Sequence, residues 1–344
     1  MDSVPFAFCM DVMGNVSTSI TEPSYSARKP HWSTVLAGRW NAAVRSYDEN
    51  LKQVSLTLYC NSGEWGYSMQ VHRAHEDWSF EDLLPLDRRY VRCVSITLDT
   101  EHYVSDFYAA CSQEKFFTKL LPFFLQQSDS HLSLSVAVGI SMQHIQMYFD
   151  AFLSCKVFRL RCSEICLPYY GPESVQFLAT ILEGDCNLQS LSLPSYWPHS
   201  EPLERLMLKF LGGKIYHCNI PDLWTGDGHV KLNSTILKAV FDAWYRMEKI
   251  DHERWLLRGS HFTAYVPWNY DLEQLLAIPV PPNVIRTQRK PKEKDSDESF
   301  ILWTREDGSA LACRAGRESV YFSNDLKGRL FEGCEEVDVK PLWS

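Results

Sequence analysis

Apolar positions along this chain recur in two rhythms. The first is a phrase, apolar-x-x-apolar-x-apolar. It is written by Leu51, Val54 and Leu56, by Val91, Val94 and Ile96, and by Leu134 and Val136 with His131 in the leading place. It returns as Cys155, Phe158 and Leu160, then Leu188, Leu191 and Leu193, and last as Ile215, Cys218 and Ile220. Within it, Val54-Ser55-Leu56-Thr57-Leu58 and Val94-Ser95-Ile96-Thr97-Leu98 alternate with the period of a strand that buries one face. Ser and Thr at the outward positions speak for one open face, because a strand covered on both sides reads as a continuous apolar run.

The second rhythm is helical. Phe117, Leu120, Leu121 and Phe124 fall at i, i+3, i+4 and i+7, as do Val175, Leu178, Ala179 and Leu182. Leu203, Leu206, Met207 and Phe210 repeat the stripe, and so do Leu237, Val240, Phe241 and Trp244. Ile145, Phe149, Phe152 and Leu153 form a near relative at i, i+4, i+7 and i+8. Each stripe predicts a helix that buries one face.

Strand phrases alternating with helical stripes, joined by right-handed crossovers, predict an α/β chain with a parallel sheet. The closing residues of successive phrases, Leu56, Ile96, Val136, Leu160, Leu193 and Ile220, lie 40, 40, 24, 33 and 27 positions apart. Leucine-rich repeats run about 20–29 residues. The expected fold is therefore an irregular leucine-rich-repeat-like strand–helix solenoid with a parallel sheet, helices on one face, and a C-terminal β-hairpin. Stacks of this kind mostly offer extended surfaces to other proteins.

Pro5, Phe8 and Val12 predict a short helix near the start, and residues 21–35 read as a loop. Gly63 to Tyr67 reads as a turn, with a further strand from Met69 to Val71. Phe262 to Tyr265 reads as a strand, and Leu272, Leu275 and Leu276 as a last short helix. The charged run from Gln288 to Glu298 reads as a solvated linker. Beyond it Asp307-Gly308 between two apolar runs predicts a hairpin, and Ser319 to Phe322 a third strand. The expected organisation is a helical segment over 1–45, repeats over 46–285, a linker over 286–299 and a hairpin cap over 300–344.

Composition narrows the partners. With 344 residues, 45% hydrophobic and 22% charged, the chain can build a sizeable core. A formal net charge of -9 disfavours nucleic acid or an anionic membrane surface as the main partner, since both demand a positive footprint. There is no long uncharged apolar run, and Asp2 and Asp11 occupy the place of a signal's basic and apolar segments. The expected location is cytoplasmic or nuclear. Eleven cysteines, many at inward strand positions, then read as reduced buried thiols.

Motifs of catalysis are missing: there is no phosphate loop, no Gly-x-Gly-x-x-Gly, no His-Glu-x-x-His and no Gly-x-Ser-x-Gly. Cys155, Cys162 and Cys166 lack the spacing of a zinc site, and no catalytic residue, metal or cofactor is expected. What stands out follows the strand phrases. Pro168-Tyr169-Tyr170, Pro194-Ser195-Tyr196-Trp197 and Pro221-Asp222-Leu223-Trp224 place a proline and large aromatics at one point of three consecutive units. In register they form a Tyr/Trp edge of Tyr169, Tyr170, Tyr196, Trp197 and Trp224. Such rings either bind a partner, as hot-spot residues do, or pack on one another and stiffen the loops.

The opening Met1-Asp2-Ser3-Val4-Pro5-Phe6-Ala7-Phe8-Cys9, followed by Asp11-Val12, resembles the start of a group of nematode proteins related to F-box proteins. In an F-box, Leu/Val-Pro and an amphipathic helix open a module that docks on a Skp-type adaptor of a cullin ubiquitin ligase. The resemblance implies that Val4, Pro5, Phe6, Phe8, Cys9, Val12 and Met13 form the adaptor-binding helix. It also implies that the repeats hold a protein client for ubiquitylation. Two alternatives stay open. One is an enzyme on an open α/β sheet, with Asp185, His199, Asp222, Asp227 and His229 as candidates near the strand ends. The other is a binding module with no ligase link.

Overall fold

A computed structural model of the chain describes residues 4–16, 37–61, 63–72, 78–100, 108–184, 188–194, 197–213, 222–225, 233–246, 261–265, 275–291, 299–315, 319–323 and 334–337. The chain divides into two compact units: Met1–Ile165 with Glu183–Leu188, and Cys166–Leu182 with Gln189–Ser344. It is mixed α/β, with parallel strands through its middle and an antiparallel hairpin sheet near the C-terminus.

The first unit opens with helices α1 (Phe6–Val16) and α2 (Gly38–Asn50). Strands β1 (Lys52–Asn61) and β2 (Glu64–Val71) follow as a hairpin, with Gly63 at φ 88° in the turn, a backbone state that glycine adopts without strain. A short helix α3 (Phe80–Leu83) precedes β3 (Val91–Asp99) and β4 (Ala109–Cys111). A continuous helical run then comprises α4 (Gln113–Lys115), a π-helical turn (Phe116–Leu120) and α5 (Leu121–Gln126). It leads to β5 (Ser128–Val136), α6 (Met142–Ser154), α7 (Lys156–Arg161) and β6 (Cys162–Cys166). The strand order is β6-β5-β3-β1-β2-β4. β1, β3 and β5 run parallel, while β2 and β4 are antiparallel additions.

The second unit carries α8 (Pro172–Glu183), β7 (Ser190–Leu193), α9 (Glu201–Gly212), β8 (Asp222–Thr225), α10 (Ser234–Arg246) and β9 (His261–Tyr265). Its later strands are β10 (Val284–Pro291), β11 (Ser299–Arg305), β12 (Ala310–Ala315), β13 (Ser319–Ser323) and β14 (Cys334–Val337). The order is β7-β8-β9-β13-β12-β11-β10-β14, parallel from β7 to β9 and antiparallel from there on.

Local sequence explains the helix ends. The Ser200 hydroxyl accepts from the Leu203 amide at 3.3 Å and starts α9, and the Asn233 carboxamide oxygen accepts from the Ile236 amide at 2.9 Å and starts α10. Arg246, at the end of α10, donates to the carbonyls of Leu211 and Gly212 at 2.9 and 3.1 Å, satisfying acceptors that α9 leaves open at its C-terminus. The hairpin turn is held by Asp307, whose Oδ1 accepts from the Ser309 amide at 2.9 Å, and Gly308 sits at φ 83°.

Several expectations change. Cys155, Phe158 and Leu160 do not form a strand: Lys156–Arg161 is helical and the strand begins at Cys162. The first two positions of the phrase are also at helical spacing, and packing decides between the two. Phe158 is buried against Phe152, their rings stacked at 4.8 Å, while Leu160 is left 44% exposed. The sixth phrase lies outside the described residues, and the strand that is described there, β8, contains Trp224, which the spacing had put in a loop. Gln288 to Pro291 continues strand β10 rather than forming linker, pairing with β14 throughout and with β11 at Gln288 and Arg289. The stripe at Phe117 is rotated, because the π-helical turn buries Phe116 in its place.

Candidate functional site

Three groups of residues bear on function. The first is the N-terminal helix. Cys9 and Met10 are buried against Ala43, Val44 and Tyr47 of α2, with Val4, Trp40, Leu51 and Tyr90 around them. Two polar ties hold the helix. The Arg39 guanidinium donates to the Val4 carbonyl at 3.1 Å, and Arg89 donates to the Asp11 carboxylate at 3.1 Å. Arg89 also donates to Asp87 at 2.6 Å, and these hydrogen bonds hold the Asp87 carboxyl below its ordinary range.

Cys9, expected among the adaptor-binding residues, therefore serves as an anchor to α2 and offers no surface. Val12 is half-buried, and the Met13 side chain lies outside the described residues. Phe6 and Phe8 are different: they are 42% and 53% exposed, next to the exposed Pro5. Phe8 meets Trp40 only edge-on, at a centroid distance of 6.4 Å.

The second group is the Tyr/Trp edge. Trp197 is 1% exposed and its indole N–H donates to the Leu167 carbonyl at 2.8 Å. It is a core residue that ties the loop after β7 to the end of β6, so it does not belong to an open edge. Tyr169 packs on it at 5.2 Å. Tyr169 and Tyr170 are each half-buried, and the Tyr170 amide donates to the Ser174 hydroxyl at 2.9 Å at the start of α8. Tyr196 and the side chain of Trp224 lie outside the described residues. Of the polar candidates near the strand ends, Asp185, Asp227 and His229 lie outside them too, as does the side chain of Asp222. His199 stands 4.0 Å from the Glu204 carboxylate, which also accepts from Asn233 at 2.8 Å.

The third group was not legible in the sequence. Cys60, near the carboxyl end of β1, lies with its Sγ 3.0 Å from Nδ1 of His144, in the first turn of α6. Trp65 is the cross-strand neighbour of Cys60 and of Cys111, and its ring packs edge-on against His144 at 5.0 Å and Phe116 at 5.1 Å. Tyr148, one turn after His144, is 1% exposed. Burial pushes the Cys60 thiol up to about 11 and raises the Tyr148 phenol as well. Cys60 and His144 are 84 residues apart, with no motif joining them.

Among the described residues no group of three or more His, Cys, Asp or Glu side chains could hold a metal ion, and no helix is long and apolar enough to cross a membrane. Comparison with family models, with curated proteins and with solved structures gives no match.

Proposed function

We propose that this chain is a non-catalytic protein-recognition module whose N-terminal helix is its docking element. The observation that carries this reading is the division of labour within α1. Cys9 and Met10 fasten the helix to α2, and Phe6 and Phe8 are left exposed. Burial of a Phe side chain is worth about 1.5–3 kcal/mol, and fold stability alone gives no reason to hold two of them in water. In the F-box-like reading the occupant is a Skp-type adaptor of a cullin ubiquitin ligase. The client is then held by the strand–helix repeats, whose alternation from β5 to β9 supports a leucine-rich-repeat-like solenoid with helices on one face. Function is by proximity, so the chain itself supplies no reacting group, and the location is cytoplasmic or nuclear.

Affinity capture tests the reading. The double variant Phe6→Ala/Phe8→Ala is preferable to deletion of the helix, which would uncover Ala43, Val44 and Tyr47. The full chain is expected to retain a Skp-type protein and a cullin, and the double variant to lose both. Capture of neither by the folded full chain ends the ligase reading. Capture of other proteins that is lost in the double variant retains the docking helix without the ligase link.

A further inference from the structure

We draw no further inference here: the strongest candidate, the hydroxyl–imidazole chain on the Ser/Thr face of β1 and β3, in which Ser95 donates to Ser55 at 2.8 Å and the Ser55 hydroxyl lies 2.8 Å from Nε2 of His72, carries nothing, because nothing among the described residues shows what substrate it would meet.

Discussion

The Tyr108 ring lies across Gly66 so closely that a Cβ on the glycine would meet it at 2.1 Å. Gly66 pairs with Tyr59 on β1 and Ala110 on β4, and Tyr108 also meets the Tyr59 ring edge-on at 5.8 Å. The missing side chain is what lets an aromatic seal this face of the antiparallel strands. Gly66→Ala should therefore cost about 1–3 kcal/mol as the ring is driven off. In the Tyr108→Ala background the same substitution should cost much less. Urea unfolding of the two single variants and the double variant measures the difference, and additive costs would refute the contact.

Trp197 and Tyr169 touch, but they carry different loads. Trp197→Ala should lose about 3–5 kcal/mol, as large buried aromatics do. Trp197→Phe should lose about 1–3 kcal/mol, because the Leu167 carbonyl then gives up its donor at 2.8 Å. Tyr169→Ala should fall well below either in the same denaturant series. A Trp197 variant as stable as the parent would return this residue to the binding edge.

The N-terminal helix gives a contrast of the same kind. Met10→Ala should cost about 2–5 kcal/mol, since the side chain is 2% exposed in the cluster with Tyr47. Phe6→Ala should stay within about 0.5 kcal/mol. Thermal melts of the two variants measure this. If Phe6→Ala proves the more damaging, the phenylalanine is structural and the docking helix loses its support.

Stability should fall at both ends of the pH scale. The Asp87 carboxyl is held below its ordinary 3.8 by hydrogen bonds from Arg89, and Glu81 below 4.5 by its hydrogen bond from Lys115. The unfolded chain takes up these protons first. The contribution is present above the ordinary values and lost as pH falls through the lower folded ones. Both carboxylates are exposed, so this loss should be shallow and weakened by salt. At the alkaline end burial raises Cys60 from 9.0 to about 11, and it raises the fully buried Cys93 and Cys313 as well. The unfolded chain then loses protons first, so stability should drop steeply above pH 9. Replacing Cys313 with Ala should blunt that drop, and unfolding titrations from pH 7 to 10.5 measure it.

The strand and helix types were legible wherever periodicity and length agreed. Leu203, Leu206, Met207 and Phe210 are all buried in α9, and the Asp307-Gly308 turn closes the hairpin that its dipeptide predicts. Legibility ended at Cys155 to Leu160, where a short phrase satisfies both periods, and at Gln288 to Pro291, where cross-strand pairing overrides a polar composition. Among the candidate residues, exposure could not be read. Cys9, Phe6 and Phe8 look alike in the sequence, and only the packing of α1 on α2 separates the anchor from the open rings.

By itself the sequence determined the alternation of strands and helices, because one-sided burial imposes periods of two and 3.6 on the choice of residues. It also determined the hairpin and the helix caps, which are local hydrogen-bond chemistry. Tertiary structure alone decided the parallel pairing of β1 with β3, the burial of Trp197 and the meeting of Cys60 with His144. These rest on contacts between residues distant in the chain, such as the 84 positions that separate the thiol from its imidazole. No local pattern records such contacts, because what selects them is the space left when the sheet and its helices close on one another.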